Sequence, residues 1–269
     1  MMKKLSLFAL TAALALSLAA CGGEKAPETT PTPEPSPAPT ETAAETAQPE
    51  APVETEDPAL REKRLAAYQF ALQQFAFEHV WPDGEDIWFD GEFGFMEDNF
   101  FAICDVDGDG SEELVLRLLT APMAGMAEHV YGYDAEADAV YEELSGFPCI
   151  VYYTEGLADL GISHNQGYAG DALWPYSAYR YNAETGVYDF AASTDAWSRE
   201  MHPEGYPADV DTEGAGAVYY VSEEYHHSST QPISKSAFEA WKAEFYGSAV
   251  QLELPLQSVS EENIAAVTD

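Results

Sequence analysis

Between residues 58 and 81 the apolar side chains recur every three or four positions. In ALREKRLAAYQFALQQFAFEHVW, Leu65, Tyr68, Leu72 and Phe75 share one face, the period of an amphipathic helix. Asp57-Pro58 supplies an N-cap followed by proline in the first turn, and Pro82-Asp83-Gly84 is a stop. Beyond it the period falls to two. NFFAIC and ELVLRLL are apolar, β-prone runs on either side of an acidic loop. YGYDAEADAVYEEL (131–144) and YRYNAETGVYDF (179–190) then resemble each other. Each has Tyr-x-Tyr, Asp or Asn, Ala-Glu, a short turn and Val-Tyr, which predicts two hairpins and suggests a repeated β unit, a propeller blade or a stacked meander. SAFEAWKAEFYG (236–247) has Ser236 and Glu239 as a capping box, Ala237, Trp241 and Phe245 along one face, and Gly247 at its end. VQLELPL is a last strand closed by Pro255. The expected fold class is therefore α+β, predominantly antiparallel β-sheet with an N-terminal and a C-terminal helix packed on it.

Residues 1–21 do not follow these patterns. MMKK is a basic segment, LSLFALTAALALSLAA is apolar, and the run closes on Cys21, which fits a secretory signal. The ending Leu18-Ala19-Ala20-Cys21 resembles the lipobox of bacterial lipoproteins. That resemblance implies cleavage before Cys21, diacylation of its sulfur and localisation at the cell membrane, lipid-anchored on the extracytoplasmic side. Two acyl chains hold a protein stably where one would not. Residues 22–57 are Pro, Thr, Glu and Ala with little to bury, a disordered and partly polyproline spacer. At about 3.1 Å per residue it would span on the order of 100 Å. The β-rich extracytoplasmic domain is then 58–269.

The chain is 46% hydrophobic yet carries a formal charge of −37, so it has enough apolar residues for a core while repelling other anions. Nucleic acid and anionic lipid headgroups are poor partners for such a surface, and cations are good ones. DVDGDGSEELVL (105–116) concentrates that charge. Asp105, Asp107 and Asp109 stand at positions 1, 3 and 5, Gly108 and Gly110 at 4 and 6, Ser111 at 7 and Glu113 at 9. Carboxylates on alternate residues of a tight turn converge on one point, and Ca²⁺ takes six to eight oxygens in flexible geometry. A solvated acidic turn is the alternative.

Asp-x-Asp-x-Asp-Gly resembles the calcium loop of EF-hands, but position 12 is Leu116 instead of a bidentate Glu, and the flanks are strand-like. The strand–loop–strand form resembles the calcium hairpins of FG-GAP (integrin-type) repeats. By that resemblance Asp105, Asp107, Asp109 and Glu113 are side-chain ligands, Ser111 is a carbonyl ligand, Glu112 is spare, and the cofactor is a structural Ca²⁺. The layout of anchor, spacer and acidic loop is also similar to surface lipoproteins of Gram-positive bacteria. Asp209-Val-Asp211-Thr-Glu213-Gly214 repeats part of the pattern, but position 9 is Ala217 and no strand-like run precedes it.

No HExxH, GxSxG, P-loop or dinucleotide fingerprint occurs. His226 and His227 are adjacent, so on a strand they point to opposite faces. Asp83, Glu85, Asp86, Asp90 and Glu92 are acidic neighbours whose separations a sequence does not reveal. Trp174, Trp197, Tyr176, Tyr179 and Tyr181 suit either sheet packing or a sugar-stacking platform. Cys104 and Cys149 fit a disulfide or two buried thiols equally well. The functional expectation is a non-enzymatic, membrane-anchored lipoprotein with a ligand- or protein-binding role. A glycan-binding module or glycan-active enzyme is the alternative.

Overall fold

The computed structural model describes residues 56–161, 167–224 and 231–268. Helix α1, Pro58–Gln73, starts as its sequence predicts, with the Asp57 carboxylate accepting from the Ala59 N–H. It runs on through a π-helical turn, Gln74–Glu78, and stops at His79 in the left-handed conformation. The stop therefore falls before Pro82. Tyr68, Leu72 and Phe75 are fully buried, and Leu65 packs beside them.

Among the described residues, ten strands form two antiparallel sheets. The first contains β1 (Phe100–Cys104), β2 (Glu113–Leu118), β3 (Ala127–Asp134) and β4 (Ala139–Gly146) as a meander. The second is a five-strand meander: β5 (Ile150–Tyr153), β6 (Leu157–Gly161), β7 (Tyr176–Asn182), β8 (Val187–Ser198) and β9 (Ala217–Ser222). Alternation sorts the side chains. Leu114, Leu116 and Leu118 face α1, while Ala102, Val115, Val130 and Leu144 meet Ile150, Tyr152, Ala158 and Tyr188 of the other sheet. Helix α2 (Lys235–Tyr246) covers the far face, with Phe238 stacked on Tyr219 at 4.6 Å. The layers run helix, sheet, sheet, helix, an α+β fold as expected.

The related hairpins are β3–β4 and β7–β8, and they stack in the same sense. Tyr131 and Tyr133 face the α1 side, and Tyr179 and Tyr181 face the first sheet. Both carry a bulge at the same point, between Val130 and Tyr131 and between Ala178 and Tyr179. Their Val-Tyr pairs are one residue out of step, however: Val140 lies opposite Tyr133, and Tyr188 opposite Tyr181. A one-residue slip reverses the face of a side chain, so Tyr141 and Tyr188 are not equivalent.

Two local expectations are corrected. The cap of α2 is Ser234, whose side chain accepts from Ala237 N–H, because Ser236 instead hydrogen-bonds Glu213. Residues 250–256 do not form a strand. They bridge Tyr153 at Gln251 only, and Pro255 has no N–H to extend a ladder. The strand comes later, as β10 (Gln257–Ser258) paired with β1. A further helix, α3 (Glu261–Ala265), follows and buries Ile264 in the α1-side core, where Gln69 donates to the Ile264 carbonyl at 2.9 Å. Among the described residues no helix is long and apolar enough to cross a membrane.

Candidate metal centre

The loop between β1 and β2 is organised by its own carboxylates. Asp105 accepts from the Gly108 and Gly110 N–H groups at 2.7 and 3.2 Å, Asp107 from Asp109 N–H at 2.8 Å, and Asp109 from Ser111 N–H at 2.6 Å. Gly108 and Gly110 have φ of 81° and 92°, which a side chain would strain. The loop curls, Val106 turns inward, and its carbonyl accepts from Tyr188 Oη at 3.0 Å.

Two carboxylate triads result, and they share Asp107. Asp105, Asp107 and Asp109 bring an oxygen each within 4.8 Å of one another, and so do Asp107, Glu113 and Glu143. The first is half open to solvent, and the second is buried throughout. Four of the five residues read as metal ligands thus supply side-chain oxygens here. Glu113 groups with Asp107 and Glu143 instead of with the loop's outer aspartates. For Ser111 the defined contact is the N–H bond to Asp109.

Glu143 comes from β4, and the sequence pattern does not single it out. The β3–β4 bulge leaves it without a partner in the register, so it faces the inter-sheet space beside Leu144. Bulges re-aim side chains in this way. Across from it is Gly132, where any Cβ would collide with Glu143 and Tyr141. A glycine inside a strand and an acid beside a bulge are the signals that could have pointed to it.

The electrostatics of this pocket are unfavourable without a counter-charge. Asp107, Glu113 and Glu143 are 4%, 2% and 6% exposed. Glu113 Oε2 accepts from Val106 N–H at 2.8 Å, but Asp107 Oδ2 and Glu143 Oε2 are buried with no hydrogen-bond partner. Burial, the leading cause, pushes Asp107 up to about 6, Glu143 to about 8 and Glu113 to about 10. The neighbouring Asp107 charge is the next cause for both glutamates. Tyr141, Tyr181 and Tyr188 crowd the same space, their hydroxyls held protonated by burial and by these acids. Tyr181 Oη approaches Asp109 at 3.5 Å.

The second sheet closes the site. Gly156, with φ of 65°, sits so near the Asp107 carbonyl that a Cβ would overlap it, and its own carbonyl accepts from Tyr181 N–H at 2.8 Å. Glu112 points the other way. It forms a bidentate pair with Arg61 at 2.9 and 3.0 Å and meets the buried Arg64 at 3.1 Å, and Arg64 also pairs with Glu56. Glu112 belongs to neither triad and instead fastens α1 to the loop. Leu116 is fully buried on the α1 side of β2, so position 12 faces away from the carboxylates.

The other candidates lie apart. Asp211 organises its turn, accepting from Tyr206 Oη at 2.9 Å and from the Ala215 and Gly216 N–H groups. Asp83 and Asp90 each accept from the backbone N–H two residues on. The five aromatics occupy three places: Tyr179 and Tyr181 between the sheets, Trp174 and Tyr176 on the outer face, and Trp197 against Tyr168 and Tyr206. Cys104 and Cys149 are free. His226 and His227 lie outside the described residues, as do Cys21 and the spacer up to residue 55.

What this arrangement can do is bind a cation through oxygen. Its donors are five carboxylates, two of them with buried, unpartnered oxygens. No protein family, curated protein or solved structure matches the chain.

Proposed function

We propose that the protein is a surface-tethered, non-enzymatic lipoprotein whose two stacked sheets are held by one structural Ca²⁺ at the Asp105/Asp107/Asp109/Glu113/Glu143 cluster. The observation that carries the metal reading is the pair of unpartnered buried oxygens, Asp107 Oδ2 and Glu143 Oε2. Buried carboxylates persist when they are paired or coordinate a metal. An all-oxygen donor set without His or Cys favours a hard cation. Several convergent carboxylates suit Ca²⁺ better than Mg²⁺, which keeps more of its water. The ion would join the β1–β2 loop to β4 under the tyrosines of the second sheet, which is a structural position.

Terbium supplies a direct test. Tb³⁺ occupies calcium sites, and Tyr141, Tyr181 and Tyr188 surround this one as sensitising groups. Tyrosine-excited terbium emission should appear, be quenched by Ca²⁺, and be lost in Asp107→Asn/Glu143→Gln. Emission that survives the double variant would sink the assignment. The membrane anchor is supported by Leu18-Ala19-Ala20-Cys21. Cells should incorporate labelled fatty acid into the chain and not into Cys21→Ser, and equal labelling of both would refute the anchor.

A further inference from the structure

On the face of the second sheet that α2 only partly covers lies a cavity of about 320 Å³. Phe147, Val151, Trp174 and Tyr176 wall it, Cys149 and Gly161 complete its edge, and Asp159 is the charged residue in the lining. Gly161 is needed for space: a Cβ there would lie 2.8 Å from Cys149 Sγ and 3.4 Å from the Trp174 ring. With glycine, the indole stands beside the opening, about half exposed.

Asp159 is buried in β6. Tyr153 Oη donates to Oδ2 at 3.0 Å, and Tyr246 Oη lies 2.8 Å from Oδ1 and 3.1 Å from Tyr176 Oη. Among the described residues no Lys, Arg or His forms an ion pair with it. Hydroxyl donors replace the water that burial removes but bring no positive charge, and Lys242, which pairs with Glu239, acts on Asp159 only from beyond ion-pair distance. Burial raises its pKa only to about 6, so the group is mainly ionised at neutral pH. A buried anion that has no ion-paired cation among the described residues, only the more distant charge of Lys242, thus lies beneath aromatic walls.

We propose that this cavity binds an organic ammonium ion, with an alkylated headgroup against the Phe147, Trp174 and Tyr176 rings and its charge compensated by Asp159. Aromatic faces attract cations, most strongly where water is excluded. A hydrated metal ion would surrender its shell to apolar walls, whereas an alkylated ammonium carries apolar surface of its own. The chain's charge of −37 raises the local concentration of any cation. This site shares no residue with the metal centre and does not depend on it.

Cys149 is an exposed free thiol at the edge of the cavity, so it reports occupancy. The full-length protein is alkylated in the presence of choline, or of its uncharged carbon isostere in which tert-butyl replaces trimethylammonium. Modification of Cys149 and Cys104 is then read by peptide mass spectrometry. Choline should slow alkylation of Cys149 and leave Cys104 unchanged, at concentrations about tenfold lower than the isostere requires. Asp159→Asn should bring the two probes together, and Trp174→Ala should remove protection by both. Equal protection by both probes in the wild-type protein would overturn the proposal, because it would mark a merely apolar crevice. Absence of protection by choline, or equal protection of Cys104, would overturn it as well. The wild-type comparison stands even if either variant fails to fold.

Discussion

Glu143→Gln should change sign with calcium. The substitution keeps the shape of a side chain that is 6% exposed and removes its capacity for charge. In chelator the wild-type protein must keep Glu143 protonated, since its pKa is pushed up to about 8 from an ordinary value of about 4.3. A carboxyl whose folded pKa is raised costs stability progressively as pH climbs from the unfolded value toward the folded one. At neutral pH that cost is of order 3 kcal/mol, and glutamine avoids it while leaving an amide imperfectly paired. The variant should therefore be more stable than wild type in chelator, by about 1–3 kcal/mol. With calcium in excess the order reverses. For a Kd of about 10⁻⁴ to 10⁻³ M, about 10 mM Ca²⁺ stabilises the wild type by roughly 1.4–2.7 kcal/mol. That corresponds to about 3–10 °C in Tm for a unit of this size, and most of it should vanish in the variant. Thermal melts of both proteins, with chelator and with calcium, give the four values needed. If Glu143→Gln destabilises by the same amount in both conditions, the side chain acts through packing and hydrogen bonding, and the charge argument fails.

The pH dependence carries the same sign. In chelator, stability should fall as pH rises from about 5 to about 8 through the raised values of Asp107 and Glu143, and calcium should flatten the slope; urea titrations at three pH values would show it, and a rise would contradict it. Gly156→Ala places a Cβ on the Asp107 carbonyl at φ of 65°, so it should cost about 1–3 kcal/mol and weaken the terbium signal; an unaltered signal would mean that the β5–β6 turn does not shape the loop. Leu116→Glu restores the acid that an EF-hand has at position 12. Because Leu116 is buried against α1, the variant should unfold or lose several kcal/mol instead of tightening calcium, and circular dichroism with a calcium titration separates the two outcomes.

The elements were legible wherever a local period decided them. Tyr68, Leu72 and Phe75 mark the buried stripe of α1, and Phe100–Cys104 and Glu113–Leu118 are strands because their apolar, β-prone residues alternate faces. The convergence of Asp105, Asp107 and Asp109 is equally local, since the spacing and the two glycines define the turn. Glu112 could not be judged from the loop because its partners, Arg61 and Arg64, lie about fifty residues upstream on a helix whose docking angle depends on the sheet. Residues 250–256 look like a strand by alternation, yet a ladder needs donors along its length, and Pro255 interrupts them.

By itself the chain determined one α1 face, the paired hairpins and a turn lined with aspartates, because each depends on neighbours a few residues apart. Only the tertiary structure decided that the hairpins stack as two sheets and that Glu143 joins the cluster. It also placed Asp159 under a ring of aromatics. A bulge between Val130 and Tyr131, a glycine at 132 and the approach of a second sheet re-aim Glu143. None of these follows from periodicity, because strand register and sheet packing are settled by total burial and not by spacing along the chain.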